Sequence, residues 1–255
     1  MKIIYADHAA TTKIKKEVLD TMMPYLKEEY GNPSAAYKLA ENNKLAIDKA
    51  RQQVKIAIGA ENKEEIYFTS GGSEADNLAI KGVARTRKNV GRHIITSKIE
   101  HMAILNSCKE LEEEGFEITY INVDANGIIN LSELEKSIRD DTILISIMFA
   151  NNEIGSIQPI NEISKIAHKY KIPFHVDAVQ AVGSLKIDVK KLGIDLLSLS
   201  AHKFYGPKGV GALYVKKGIE IKPIICGGHQ ENNLRAGTEN VAGIVGLRKS
   251  DRDCK

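Results

Sequence analysis

Little in this 255-residue chain speaks for a disulfide scaffold, a membrane anchor or a polyanion-binding surface. It holds three cysteines, Cys108, Cys226 and Cys254, far apart and with no CxxC pair. That spacing argues against a disulfide framework and a structural zinc site, and points to a reducing compartment. The 36 basic and 33 acidic residues leave a net charge of only +3, with no dense basic block, so neither nucleic acid nor an anionic membrane is the expected partner. The longest conspicuous apolar run, "ILISIMFA" from Ile143, is far short of the roughly 18 residues a membrane helix needs. Asp7 and His8 come too early in "MKIIYADHAATT" to leave room for a signal-peptide core. Internal repeats and low-complexity linkers are also missing. The expectation is a cytoplasmic protein without a membrane segment, and its 43% apolar content is ample for a large core.

What is present is an alternation of apolar strands and amphipathic helices. In "ENNKLAIDKARQQVKIAIGA", Ala46, Ala50, Val54 and Ala57 recur at helical spacing, and Gly59 suits a C-terminal cap. "EIYFTS", "HIITS", "FEITYINV", "TILISIMF", "IPFHVDA", "DLLSLS" and "GALYV" read as strands, the fourth as one buried on both faces. Between them, "SGGSEADNLAIKGVA", "AILNSCKELEEEG", "SELEKSIRD" and "NEISKIAHKYK" read as helices, with Ser132 the expected N-cap of the third. This order predicts an α/β fold, a three-layer αβα sandwich around a mostly parallel sheet. Ligands of such sheets gather beyond the carboxyl ends of the strands.

Reactive residues stand at five such ends. "GGSEADN" follows the first strand, with Gly72 and Ser73 at the start of a helix. Glycines there allow close backbone approach and the helix N-terminus favours an anion; alternatively Ser73 only caps the helix while Glu74 and Asp76 complement its dipole. The GK[ST] ending of a Walker loop is missing. His101, after "HIITS", is either a surface residue at a helix start or an aromatic plate able to move protons near neutral pH. Asn151 and Asn152 after "SIMFA" form a plain turn or supply an amide to a ligand oxygen. Asp177 after "HV" caps the next segment or holds a ring nitrogen protonated, with Gln180 close behind it. Lys203, after "DLLSLSAH", has Ser200 and His202 beside it. One ligand accounts for all of these: pyridoxal 5'-phosphate requires a lysine amine, an acid opposite its ring nitrogen and a phosphate cradle.

Taken in order, "ADHAATT", "YGNPSA", "FTSGGSEADNLAIKG", "HIITSKIEHMAIL", "SIMFANNEIGSIQPI", "HVDAVQAVG", "SLSAHKFYGPKGVGALYV" and "RAGTENVAGIVGL" resemble the cysteine desulfurases of the NifS/IscS type, class-V aminotransferases within the fold-type I pyridoxal-phosphate enzymes. The resemblance implies Lys203 as the Schiff-base lysine, Asp177 as partner of the ring nitrogen, and His101 stacked on the ring and moving protons. It implies Gln180 on the ring hydroxyl, Gly72, Ser73, Ser200 and His202 on the phosphate, and Asn152 near the cofactor and the substrate carboxylate. Thr238 would reach the phosphate of a neighbouring subunit, which implies a homodimer. The family reaction converts L-cysteine to L-alanine and leaves sulfur as a persulfide on an enzyme cysteine, for a sulfur-acceptor or scaffold protein in iron–sulfur assembly or thiolation of tRNA and cofactors.

The family's nucleophilic cysteine sits in a small-residue loop such as SGSAC, in a C-terminal domain that also holds a carboxylate-binding arginine. Neither motif occurs in this sequence. The expected organisation is an N-terminal segment near the active site (1–14), a cofactor-binding large domain (15–247) and a disordered tail (248–255), with the small domain absent. Cys254 lacks an electropositive niche, and Cys108 and Cys226 read as packed side chains. Two alternatives stand beside a desulfurase core without its sulfur-collecting cysteine. One is a related lyase or aminotransferase, such as a selenocysteine lyase; the other is a non-catalytic cofactor-binding fragment that dimerises.

Overall fold

The predicted alternation of strand and helix is realised element by element. The computed structural model describes residues 4–252. Its elements are α1 (Lys16–Lys27), α2 (Lys38–Ala57), β1 (Ile66–Thr69), α3 (Gly72–Arg87), β2 (His93–Ser97), α4 (Met102–Glu113), β3 (Glu117–Ile121), α5 (Leu131–Lys136), β4 (Thr142–Ser146), α6 (Ile160–Lys169), β5 (Phe174–Asp177), α7 (Val189–Leu192), β6 (Leu196–Ser200), β7 (Gly211–Val215) and α8 (Val241–Arg252). All seven strands join one sheet in the order β1-β7-β6-β5-β4-β2-β3. Only β7 runs antiparallel to its neighbours, so β1, β2, β4, β5 and β6 all bring their carboxyl ends to one edge.

The sheet is covered on both faces, which is why its central strands carry no polar alternation. Successive side chains point to opposite faces of a strand. Ile94, Leu144, Leu196 and Leu213 enter one apolar cluster with α3 and α4. Their neighbours Ile95, Ile145, Leu197 and Ala212 enter another with α2, α6 and α8. The three-layer sandwich expected from the sequence follows directly.

Helix α2 buries Ala40, Ala46, Ile47, Ala50 and Val54 along one stripe. It is closed by Gly59, whose φ of 70° and bonds at the end of the last turn give the left-handed cap. Gly211 has a different reason to lack a side chain. A Cβ there would lie 2.5 Å from the Leu199 carbonyl oxygen and 2.7 Å from the backbone of Gly71. That close approach draws the β1–α3 turn against β6.

Two expectations change. Helix α5 is capped by Asn130, whose side-chain oxygen accepts from the backbone N–H groups of Ser132 and Glu133 at 3.0 and 3.1 Å. Asn130 still has extended backbone, whereas Ser132 already lies inside the helix. The tail expected from residue 248 begins instead as the last turns of α8, which runs to Arg252. Ser250 is fully buried and its hydroxyl donates to the Leu247 carbonyl. Cys254 lies outside the described residues. No helix among the described residues is long and apolar enough to cross a membrane.

Candidate active site

The carboxyl ends of β1, β2, β4, β5 and β6 enclose a cavity of about 250 Å³, lined by residues from each of the connections that follow them. Gly72, Ser73, His101, Asn152, Asp177, Gln180, Ser200, His202 and Lys203 all face it. Thr238 does not. It is exposed on the segment that follows Arg235.

Its floor at the β1–α3 turn is built from backbone. Gly71 adopts φ 153°, and a Cβ on Gly72 would lie 2.6 Å from a methyl of Val179. The first N–H groups of a helix have no intrahelical acceptor, and no side chain caps α3 at Gly71. The acidic residues do not screen that end as expected. Glu74 turns back to accept from the Ser70 N–H and pairs with Arg235 at 2.8 Å. Burial pushes its carboxyl up, but Arg235 and Ser70 outweigh this and hold it below its usual range. Asp76 is 1% exposed and lines the cavity, so it is no surface complement to the helix dipole.

The β6 end supplies the amine. Residues 201–203 form a short 3-10 turn directly after Ser200. Lys203 Nζ donates to the Ala9 carbonyl oxygen at 2.5 Å, and Ala10 joins the cavity wall. Burial lowers the Lys203 pKa, against the opposing pull of Asp177, Asp7 and Glu153. The effect favours the neutral, nucleophilic amine. His202 Nδ1 meets the Thr11 hydroxyl at 3.0 Å. Burial and then the neighbouring Lys203 and Lys208 lower its pKa, which keeps the imidazole neutral.

The β5 end supplies the acid. Asp177 is 5% exposed, and one carboxyl oxygen accepts from the Val179 N–H at 2.9 Å. The residue therefore caps the following turn, as one reading expected, and it also faces the cavity. Burial raises its pKa, and the Val179 N–H, His101 and Lys203 oppose that rise. A cation brought into the cavity would restore the carboxylate. Gln180 lines the same wall, and its side-chain oxygen is buried without a partner among the described residues.

On the remaining sides, His101 is the N-cap of α4. Its Nδ1 accepts from the Ala103 N–H at 3.1 Å, which places the ring hydrogen of the neutral tautomer on Nε2. The two asparagines separate cleanly. Asn151 makes the turn, accepting from Glu153 and Ile154 and donating to the Ile99 carbonyl. Asn152 lines the cavity.

These residues fit pyridoxal phosphate on grounds visible in the fold. A side chain on Gly72 would fill the cradle at the α3 N-terminus, Gln180 holds an unpartnered buried oxygen, and a depressed lysine and a raised aspartate share one cavity. Sequence reasoning missed Asp76, Glu100 and the Ala9–Ala10 backbone. The spacing of Asp76 from Ser73, one helical turn, was the available signal for the first. Of the thiols, Cys108 is buried as expected, whereas Cys226 is exposed, because the segment around it carries no strand or helix to cover it. Neither lines the cavity.

Residues 4–251 match the model of the family described as aminotransferase class-V. The chain is 58% identical over 247 residues to the cysteine desulfurase IscS of Dictyoglomus turgidum, covering 97% of this chain and 62% of that protein. It is 59% identical over 249 residues to the IscS of Methanosarcina thermophila, covering 98% and 61%. It thus spans about 62% of the length of such curated relatives. Among solved structures, a NifS-like protein superposes with a TM-score of 0.97 at 44% identity, covering 99% of this chain and 70% of that one. A structure described as SspA in complex with cysteine gives 0.95 at 46% identity, covering 98% and 73%. With the family model matched over nearly all of its length and the fold superposed on NifS-like structures, the chain belongs to the class-V aminotransferases, pyridoxal-phosphate enzymes.

Proposed function

We propose that this chain is the cofactor-binding and substrate-activating part of a cysteine desulfurase, acting on L-cysteine in a reducing, cytoplasmic setting. The observation that carries the reading is the placement of Lys203 and Asp177 in one cavity, above an uncapped helix N-terminus. When bound, pyridoxal phosphate supplies an electron-accepting ring able to stabilise negative charge at a substrate carbon.

Each wall then has a task. Gly72 and Ser73 offer helix N–H groups and a hydroxyl to the phosphate, with the Ser200 hydroxyl and the free Nε2 of neutral His202 alongside. Asp177 holds a proton on the ring nitrogen by its negative charge. Gln180 directs its amide at the ring oxygen. Lys203 anchors the cofactor and afterwards, as a free amine of lowered pKa, takes a proton from the substrate carbon. His101 faces the cavity from the β2 end and moves a proton at the departing sulfur. Asn152 orients the substrate carboxylate.

Thr238 lies outside this wall and is exposed, on a segment tied down by Arg235–Glu74 and Arg51–Glu231. Its part is to reach the phosphate site of a second copy, so the active form is a homodimer. The thiol that collects the sulfur is not Cys108, whose thiol burial pushes up to about 12.

The test is absorbance. The 255-residue chain mixed with pyridoxal phosphate should develop a visible band that borohydride fixes to Lys203, and that L-cysteine perturbs more than L-alanine does. No band with wild type, or a band unaffected by Lys203→Ala, overturns the reading. Alanine and sulfide release should then be compared with Cys254→Ser, which reports directly on that thiol.

A further inference from the structure

Asp76 is the buried group whose chemistry the cofactor reading leaves unused. It sits on α3 one turn after Ser73 and is 1% exposed. It lines the same cavity as Asp177. Its Oδ1 has no hydrogen-bond partner among the described residues. The nearest ring nitrogen, His175 Nε2, is 3.8 Å away, too far for a bond. An ionised carboxylate with a bare buried oxygen is strongly disfavoured, whereas a carboxylic acid can leave its carbonyl oxygen unpaired at far lower cost.

The surroundings of the two aspartates are unequal. Asp177 has the Val179 N–H and the influence of His101 and Lys203. Among the described residues the charged groups that act on Asp76 are Asp177 and Glu100, both acidic, and the Ser198 hydroxyl opposes them. His175 gives no positive charge. It is fully buried between the hydroxyls of Ser146 and Ser198, each at 2.9 Å, and burial alone pushes its pKa down to about 3. Two buried carboxyls that face one cavity do not readily both ionise, and the proton stays on the one with the poorer surroundings.

We infer that Asp76 is a positioning residue that carries the proton of a buried Asp76–Asp177 carboxyl pair, leaving Asp177 as the anion that faces the ring nitrogen. The inference rests on the cofactor reading above for its purpose, but not for its geometry. The Ser198 hydroxyl donates to His175 Nε2 and the Nδ1–H of the neutral imidazole donates to Ser146 Oγ, which leaves Ser198 Oγ as the acceptor toward which a proton on Asp76 would turn. No proton is gained or lost along this chain, and Asp76 stays neutral at its head. Polarity is thus delivered to the floor of the cavity from Ser146 on β4 through His175 on β5 and Ser198 on β6, three adjacent strands.

Infrared spectroscopy of protonated carboxyl groups tests it, on wild type, Asp76→Asn, Asp177→Asn and Glu100→Gln, each with and without pyridoxal phosphate at neutral pH. Asp76→Asn should remove one acid band in both states, and Glu100→Gln a different one. In the loaded protein Asp177→Asn should remove none. Acid bands unchanged by Asp76→Asn, or a loaded-state band lost in Asp177→Asn, overturn the inference. Ser198→Ala gives an independent reading should Asp76→Asn not fold. The Asp76 band should persist but shift in frequency, because its O–H loses its acceptor, and an unshifted band would sink the relay. Cofactor loading is read from visible absorbance in the same samples. A wild type that never loads defeats the functional proposal, while the ligand-free infrared comparison still decides the place of the proton.

Discussion

The Nζ of Lys203 donates to the carbonyl oxygen of Ala9, 194 residues earlier in the chain. Around that contact the Thr12 N–H and hydroxyl both reach the His202 carbonyl at 2.8 Å, and the Lys15 N–H reaches that of Tyr205 at 3.1 Å. The N-terminal segment therefore holds the turn that carries the reactive lysine partly through its backbone and partly through the Thr12 hydroxyl.

For Lys203 the expected outcome is a pH dependence. Its pKa is lowered from the ordinary lysine value of 10.5, chiefly by burial. The rate at which the protein develops its cofactor colour should therefore rise with pH and level off below that value. Stopped-flow absorbance across the alkaline range checks this. Lys203→Ala should give no borohydride-trappable product, a loss of at least about 100-fold in covalent attachment.

Gly72→Ala places a methyl group 2.6 Å from Val179. The clash should cost about 1–3 kcal/mol of stability and weaken cofactor binding by at least about tenfold, since the same backbone forms the anion cradle. Adding Val179→Ala should recover most of both. Titration calorimetry and urea unfolding of the single and double variants measure it.

Glu74 has a carboxyl held below its usual range by Arg235 and Ser70 in spite of burial. A depressed acid contributes stability that is present above its unfolded pKa, near 4.5, and lost as pH falls through its folded value. Arg235→Ala should cost about 1–3 kcal/mol at neutral pH. Glu74→Gln should flatten the acid limb of the stability curve. Urea midpoints from pH 7 down to the acid transition test both.

Glu100 behaves in the opposite sense. It accepts from the Ser97 hydroxyl at 2.6 Å and the Met148 N–H at 3.0 Å, but its other oxygen is buried and has no partner among the described residues. Burial raises its pKa from 4.5 to about 8. The native state thus retains a proton that the unfolded chain releases, and this contribution is lost as pH rises from 4.5 to about 8. Glu100→Gln keeps both accepted bonds and should remove that slope. Its stability relative to wild type should grow across this window, read from thermal unfolding at successive pH values.

The sequence alone was enough to mark out all seven strands along the chain, because strands packed into a covered sheet leave apolar runs whose limits are marked by polar strand ends, whereas their order in the sheet and the reversal of β7 were not legible. It was also enough for nine of the residues that line the cavity, since each of them lies within a few positions of the end of such a run. What depended on the tertiary structure was pairing and burial. Glu74 and Asp76 look alike two positions apart on a helix start, yet one turns outward to Arg235 while the other is sealed against Ser198 and Asp177. Cys108 and Cys226 have similarly bland surroundings in sequence, and only packing separates the buried thiol from the exposed one. The lowered pKa of Lys203 and its tether to Ala9 exist because a segment near the N-terminus returns across the sheet edge. That contact spans most of the chain, and local pattern carries no trace of it.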